Sequence, residues 1–184
     1  MSRPRRWEAL IRRIPQDGEI VGVEVGVFKA DTAAAVLEAR RNVTHYLVDP
    51  WAPYYETDAA GKRTKMGQMM GSDTLASAIF EDVKRRMKPF GERAVIYRGT
   101  SLDAAAELPN GLDYVFIDGI HTYDAVKQDI TAWLPKVRPG GWIGGHDYEN
   151  LPRFPGVARA VDEVIGEDRI ELDADHTWWW RIPG

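Results

Sequence analysis

EIVGVEVGVFKADTAAAVLEARR, residues 19–41, changes its period halfway through. Residues 19–26 form an almost continuous apolar run rich in valine, the pattern of a strand buried on both faces. From residue 30 to 41 the pattern is alanine-rich and helical. Gly26 stands between the two and permits a tight turn and a close backbone approach. A strand, a glycine turn and a helix form the unit from which parallel sheets are built.

The unit recurs along the chain. THYLVD (44–49) reads as a second strand, and residues 73–88 as a helix with Leu75, Ile79, Val83 and Met87 on one face. AVIYRG (94–99) and LDYVFID (112–118) read as strands three and four. Tyr123, Val126, Ile130, Trp133 and Leu134 line one face of a helix over 123–134. GGWIGGHD (140–147) is a fifth strand and residues 156–166 a helix. RIEL (169–172) and TWWWRI (177–182) close the chain as an antiparallel pair. The expected architecture is α/β: one domain over 1–184, a doubly wound sheet with helices on both faces and an antiparallel edge.

Bulk properties narrow the function. The 184 residues carry a net charge of -4, which disfavours general nucleic-acid binding through a basic surface. Cysteine is absent, which excludes disulfides and thiolate metal sites and suits a cytoplasmic protein. No stretch approaches the roughly 20 apolar residues of a membrane span. The arginines at 3, 5, 6, 12 and 13 read as the solvated face of a first helix whose Trp7, Leu10, Ile11 and Ile14 turn inward. Residues 52–73 are irregular, with three glycines and Met66, Met69 and Met70. A loop of this length is a lid or flexible excursion, whose methionines either close over a ligand or pack the loop down.

Ligands of doubly wound sheets bind beyond the carboxyl ends of the strands. The first strand ends at Glu24 and Gly26, the second at Asp49, and the third at Thr100 and Ser101. An acid at 49 can accept hydrogen bonds from both hydroxyls of a ribose. The spacing Gly22, Gly26, Ala30 is not the G-x-G-x-x-G that a pyrophosphate requires. Glu24 would repel phosphate yet could receive an amino group. An adenosine without phosphates fits these residues better than a dinucleotide.

A second group gathers on the same rim. Strand four ends in Asp118 and strand five in His146 and Asp147. Converging carboxylates need a proton, a cation or a basic side chain between them. Oxygen ligands suit Mg²⁺ or Mn²⁺, and a histidine shifts the preference towards Mn, Fe or Zn. His121 lies three residues past Asp118 and reads as a general base, a ligand or a helix cap.

VEVGVFKADT followed by YLVDPW resembles the first two motifs of class I S-adenosylmethionine-dependent methyltransferases. The resemblance spans roughly residues 19–182 and implies a seven-stranded, Rossmann-like sheet in the order 3-2-1-4-5-7-6, with strand 7 antiparallel. It implies that Glu24, Gly26 and Thr32 hold the methionine moiety, that Asp49 holds the ribose, and that Ser101 sits by the adenine. Val27, Phe28, Pro50, Trp51, Thr100 and Asp118 complete the implied cofactor set. Ala30 stands where that family often has glycine, a position taken to be helical and so tolerant of alanine.

The stretch FIDGIHTYDAVKQDITAWLPKVRPGGWIGGHDY is similar to catechol- and caffeoyl-CoA-type and macrolide-sugar O-methyltransferases. That likeness implies a divalent cation at Asp118, His146 and Asp147, with His121 at the spacing of the catechol-type base. Its acceptor would be a small-molecule hydroxyl, with neither nucleic acid nor membrane as partner; homo-oligomerisation stays open. Two other readings remain: a non-haem iron oxygenase using Asp118, His121 and His146, and a non-catalytic S-adenosylmethionine-binding module. Trp178–Trp180 either form a stacking or dimer surface or are buried, since alternate residues of a strand face opposite sides.

Overall fold

The computed structural model describes residues 5–184, apart from the side chains of Lys65 and Met66. Arg3 and the Met66 side chain therefore lie outside the described residues. Seven strands form one sheet: β1 (Ile20–Val25), β2 (Val43–Asp49), β3 (Ala94–Arg98), β4 (Leu112–Ile117), β5 (Val137–Gly145), β6 (Glu171–Asp173) and β7 (Thr177–Arg181). Their order is β3-β2-β1-β4-β5-β7-β6. The first five run parallel, and β7 is antiparallel to both β5 and β6. This is the Rossmann-like order that the resemblance implies.

The helices are α1 (Arg6–Arg13), α2 (Asp31–Ala39), α3 (Lys65–Met69), α4 (Asp73–Met87), α5 (Ser101–Glu107), α6 (Tyr123–Trp133) and α7 (Pro155–Val164). Alternation along each strand divides the core. Val115 and Ile117 of β4 face Val126, Ile130 and Trp133 of α6 and Val157 and Val161 of α7. Tyr114 and Phe116 face the other way, towards Leu10 of α1, Ile14 just after it and Val36 of α2. Both faces are covered, so the strands are apolar without alternation. Each large side chain buried in this way contributes roughly 1.5–3 kcal/mol.

Several elements depart from the sequence reading. Helix α5 was not anticipated, because SLDAAAE is short and carries little apolar pattern; Thr100 caps it by accepting a hydrogen bond from Asp103 N–H. Strand β5 begins at Val137, not residue 140, and its register against β4 shifts between Leu112 and Tyr114. Gly140 there has a φ of 76°, and the irregularity absorbs the extra residues as a bulge does. Residue 169 belongs to a 3-10 turn, so β6 starts at Glu171. Leu75 is exposed, and Ala76 takes its place against the sheet. Ala30 is not helical: it precedes α2 in the left-handed region at φ 60° and ψ 36°, where glycine carries no steric cost.

The arginine face also differs. Arg13 is largely buried, its guanidinium 5.2 Å from the ring centre of Trp142 and 4.6 Å from that of Trp179. Trp178 and Trp179 are buried on opposite faces of β7. The edge strand is β6, so these two tryptophans form no exposed surface. Among the described residues, no helix is long and apolar enough to cross a membrane.

Candidate active site

Four strands, β2, β1, β4 and β5, end at one level, and backbone hydrogen bonds hold them there. Gly26 N–H donates to Val48 O at 2.9 Å, Asp118 N–H to Val25 O at 2.7 Å, and His146 N–H to Ile117 O at 3.1 Å. Gly26 has a φ of 87°, and a side chain on it would meet the Asp118 carbonyl oxygen at 2.2 Å. The bare backbone at 26 therefore sets how closely the ends of β1 and β4 approach.

Beyond these ends lies a cavity of about 380 Å³, lined in part by Gly26, Phe28, Asp49, Pro50, Ser101 and Asp118. Thr100 also lines it. Asp49 accepts from Phe28 N–H through Oδ2 at 2.9 Å and from Trp51 N–H through Oδ1 at 2.7 Å. Burial raises its pKa, and these backbone bonds oppose the rise. Each oxygen keeps a further lone pair for a ligand. Asp129 of α6 is a wall residue that sequence reasoning missed; burial pushes it up to about 6. Ser101 Oγ accepts from Trp133 Nε1–H at 2.9 Å.

Four residues expected to touch the cofactor lie off this wall. Glu24 is buried, with Oε2 3.4 Å from His45 Nε2, and His45 Nδ1 is 2.6 Å from the Tyr114 hydroxyl. Burial raises the Glu24 pKa, and His45 opposes the rise. Val27 and Trp51 pack in the core beneath α2 and α4. Thr32 Oγ1 accepts from Arg6 Nε at 3.3 Å.

Asp118 borders a second group. His121 Nε2 is 3.0 Å from Asp147 Oδ2 and 3.8 Å from Asp118 Oδ1. His146 Nδ1 is 3.0 Å from Asp147 Oδ2 and 3.4 Å from Asp118 Oδ1. Asp147 sits at φ 63°, a strained position for an aspartate, and Asn150 Nδ2 donates to its Oδ1 at 2.6 Å. Arg6 reaches in from α1, its Nε 3.1 Å from Asp118 Oδ2.

Electrostatics follow from this crowding. Burial alone would raise Asp118 and Asp147. Arg6 and the two histidines outweigh it at Asp118, and the histidines outweigh it at Asp147, so both carboxyls lie well below the usual range. Burial would lower the histidines. The same carboxylates, joined by Glu56 at His121, instead raise His121 far above its ordinary value and push His146 up to about 10.

Glu56 comes from the irregular segment. Its Oε1 accepts from His121 Nδ1–H at 2.8 Å and from His121 N–H at 3.1 Å. The His121 ring also stacks on Phe154, with centroids 4.2 Å apart. Nothing local in YYETDAA marks Glu56. A signal for Arg6 did exist, because Arg6, Ala9, Leu10 and Arg13 share one helical face.

Asp118, His121 and Asp147 each offer a ligand atom, all within 4.8 Å of one another. A cation at oxygen distances of roughly 2.0–2.6 Å can span such a group. His121 Nε2 is buried and makes no aligned hydrogen bond, an open polar position that fits a charged group or reacting atom beside it. The expected trio of Asp118, His146 and Asp147 shares both carboxylates with this one.

The strand order, the Gly26 turn, Asp49 at the end of β2 and the acidic rim define a class I S-adenosylmethionine-dependent methyltransferase fold. A family model described as a methyltransferase domain matches residues 21–148, and the chain belongs to that family. An uncharacterised protein, R132, of Acanthamoeba polyphaga mimivirus is 25% identical over 149 residues, which are 81% of this chain and 61% of the viral protein. The chain thus matches less than two thirds of that relative's length. The O-methyltransferase NovP superposes with a TM-score of 0.67 at 20% identity, covering 97% of this chain and 80% of NovP. The O-methyltransferase TomG from Streptomyces achromogenes, solved in complex with SAM, has a TM-score of 0.60 at 14% identity, covering 97% of this chain and 78% of TomG. At these identities the likeness is one of fold.

Proposed function

We propose that the protein methylates a hydroxyl of a small-molecule acceptor, with S-adenosylmethionine against Asp49 and a divalent cation, Mg²⁺ or Mn²⁺, between Asp118 and Asp147. The observation that carries this reading is the double position of Asp118. It lines the cavity beside Gly26 and also belongs to the acidic group, so donor and acceptor would meet at one carboxylate. The names of the structural neighbours NovP and TomG support oxygen as the atom methylated.

When bound, S-adenosylmethionine supplies an electrophilic methyl group, and a divalent cation lowers the pKa of an acceptor hydroxyl. The chain does the rest by holding and aligning. Asp49 receives the ribose hydroxyls, Thr100 and Ser101 flank the adenine, and Gly26 admits the donor close to the backbone. His121 Nε2 takes the acceptor's proton while Nδ1–H stays on Glu56. Asp118, Asp147 and Glu56 hold His121 protonated in the absence of a counter-charge. Asp118 and Asp147 would hold the cation, whose charge would offset theirs and let His121 Nε2 accept a proton. The iron-oxygenase reading has no use for the Asp49 cavity, and the family match disfavours it.

Calorimetry with S-adenosylhomocysteine, followed by mass spectrometry of a metabolite mixture incubated with S-adenosylmethionine, tests the reading. The expected result is binding, a mass gain of one methyl on a hydroxyl compound, and loss of that product in excess EDTA. Full activity in EDTA rejects the cation, and absence of binding rejects the donor.

A further inference from the structure

Glu56 is nearly inaccessible to solvent although it lies in the longest irregular segment of the chain. The segment is built around it. Thr57 and Arg63 form an antiparallel bridge, and Thr64 N–H donates to the Glu56 carbonyl at 2.9 Å. Thr64 Oγ1 accepts from Gly67 N–H at 3.0 Å at the start of α3 and donates to Glu56 Oε2 at 2.9 Å. A side chain on residue 67 would stand 3.1 Å from the Glu56 backbone and 3.2 Å from Thr64 Oγ1, so the glycine leaves this arrangement its room. One carboxylate oxygen is thereby held by the segment, and the other is directed at His121.

That second oxygen takes both hydrogens His121 offers on that side, Nδ1–H at 2.8 Å and the backbone N–H at 3.1 Å. A carboxylate bound to Nδ1–H fixes the tautomer and ring orientation and leaves Nε2 as the nitrogen that faces the chemistry. Here Nε2 faces Asp118 and Asp147. We propose that Glu56 is a positioning residue: it pins Nδ1–H of His121, so that residues 52–73, by docking, complete the proton-accepting pair. The proposal rests on the methyltransferase reading only for the identity of the proton donor. The same segment lines the cofactor cavity with Ala52, Pro53, Tyr54 and Met70. One piece of chain therefore touches both the donor cavity and the base.

Two variants test this, Glu56→Ala and Glu56→Gln, the latter keeping an acceptor in the same place. In nitrogen-15 labelled wild type, long-range histidine spectra are expected to show a slowly exchanging downfield Nδ1 proton on His121, identified by its absence in His121→Ala. Glu56→Ala is expected to lose that proton and to lower kcat at least about 10-fold, with KM and S-adenosylhomocysteine affinity within about twofold of wild type. Glu56→Gln is expected to keep the proton and recover part of kcat. The proposal fails if Glu56→Ala retains the Nδ1 proton, or if its kcat stays within about twofold of wild type. It also fails if S-adenosylhomocysteine affinity falls in step with kcat, which marks a purely structural role. Should the alanine variant not fold, the charge-free glutamine variant carries the test: a retained Nδ1 proton with retained kcat, or loss of both together, supports the proposal, and loss of that proton with unchanged kcat overturns it. Failure of wild type to bind S-adenosylhomocysteine refutes the methyltransferase reading instead and leaves the Nδ1 measurement intact.

Discussion

At residue 121 the chemistry depends on which nitrogen is free. Nδ1 is committed to Glu56, and Nε2 is buried beside two carboxylates. His121→Ala is expected to lower turnover roughly 100-fold or more, the usual scale for a general base. Affinity for S-adenosylhomocysteine should change little, because His121 is not on the cavity wall. Mn²⁺ affinity, followed by electron paramagnetic resonance, should also hold; its loss would make His121 a ligand instead of a base. Spacing from Asp118 was enough to single out His121, since a histidine three residues past a strand-end acid has few places to go. Its partner Glu56 lies 65 positions away in sequence and was invisible there. Such a pairing is a product of loop docking, which carries no periodicity.

At the scale of elements, α1 does more than cover the sheet. Leu10 and Ile14 anchor it, the Arg6 side chain extends to Asp118 and Thr32, and the Arg6 backbone N–H donates to Asp175. Removing a partner from a buried carboxylate is costly because the remaining charge stays uncompensated. The Arg6 side chain is 29% exposed, which moderates that cost. Arg6→Met is expected to lower the melting temperature of cation-free protein by several degrees. Under the proposed cation site, Mg²⁺ should restore more of that loss in the variant than it adds to wild type, because a cation held by Asp118 and Asp147 would replace the missing charge. Equal Mg²⁺ shifts in the two proteins, measured by calorimetry, would refute the link between α1 and the cation position. The amphipathic pattern of α1 was legible from Leu10 and Ile14. The inward roles of Arg6 and Arg13 were misread as solvated because charge was allowed to outweigh position on the helical face.

For the whole molecule, the concentration of titrating groups on one rim makes stability depend on pH. The His146 pKa rises from 6.5 to about 10, and His121 moves in the same direction. A raised histidine contributes stability that is complete below its unfolded value and is lost as pH rises through its folded value. In excess chelator the melting temperature is therefore expected to fall between about pH 6.5 and pH 10. His146→Gln should shrink that fall, and a flat profile across the range would contradict the electrostatic picture. The lowered Asp118 and Asp147 act oppositely: their contribution is present above the ordinary aspartate value and is lost in acid.

The strand-and-helix alternation, the Gly26 turn and the acids at strand ends were all legible in the chain itself. They depend on local periodicity and on where a parallel sheet must present its carboxyl ends. The order of the strands was implied by resemblance, and the sheet bears it out. Helix α5, the left-handed Ala30 and the bulge in β5 escaped because a short helix or a strained residue leaves little pattern behind. The pairing of His121 with Glu56 was decided by tertiary structure alone. A loop brings Glu56 to His121, and a terminal helix brings Arg6 to Asp118. Periodicity specifies which face of an element is buried; only packing specifies which distant charge meets another there.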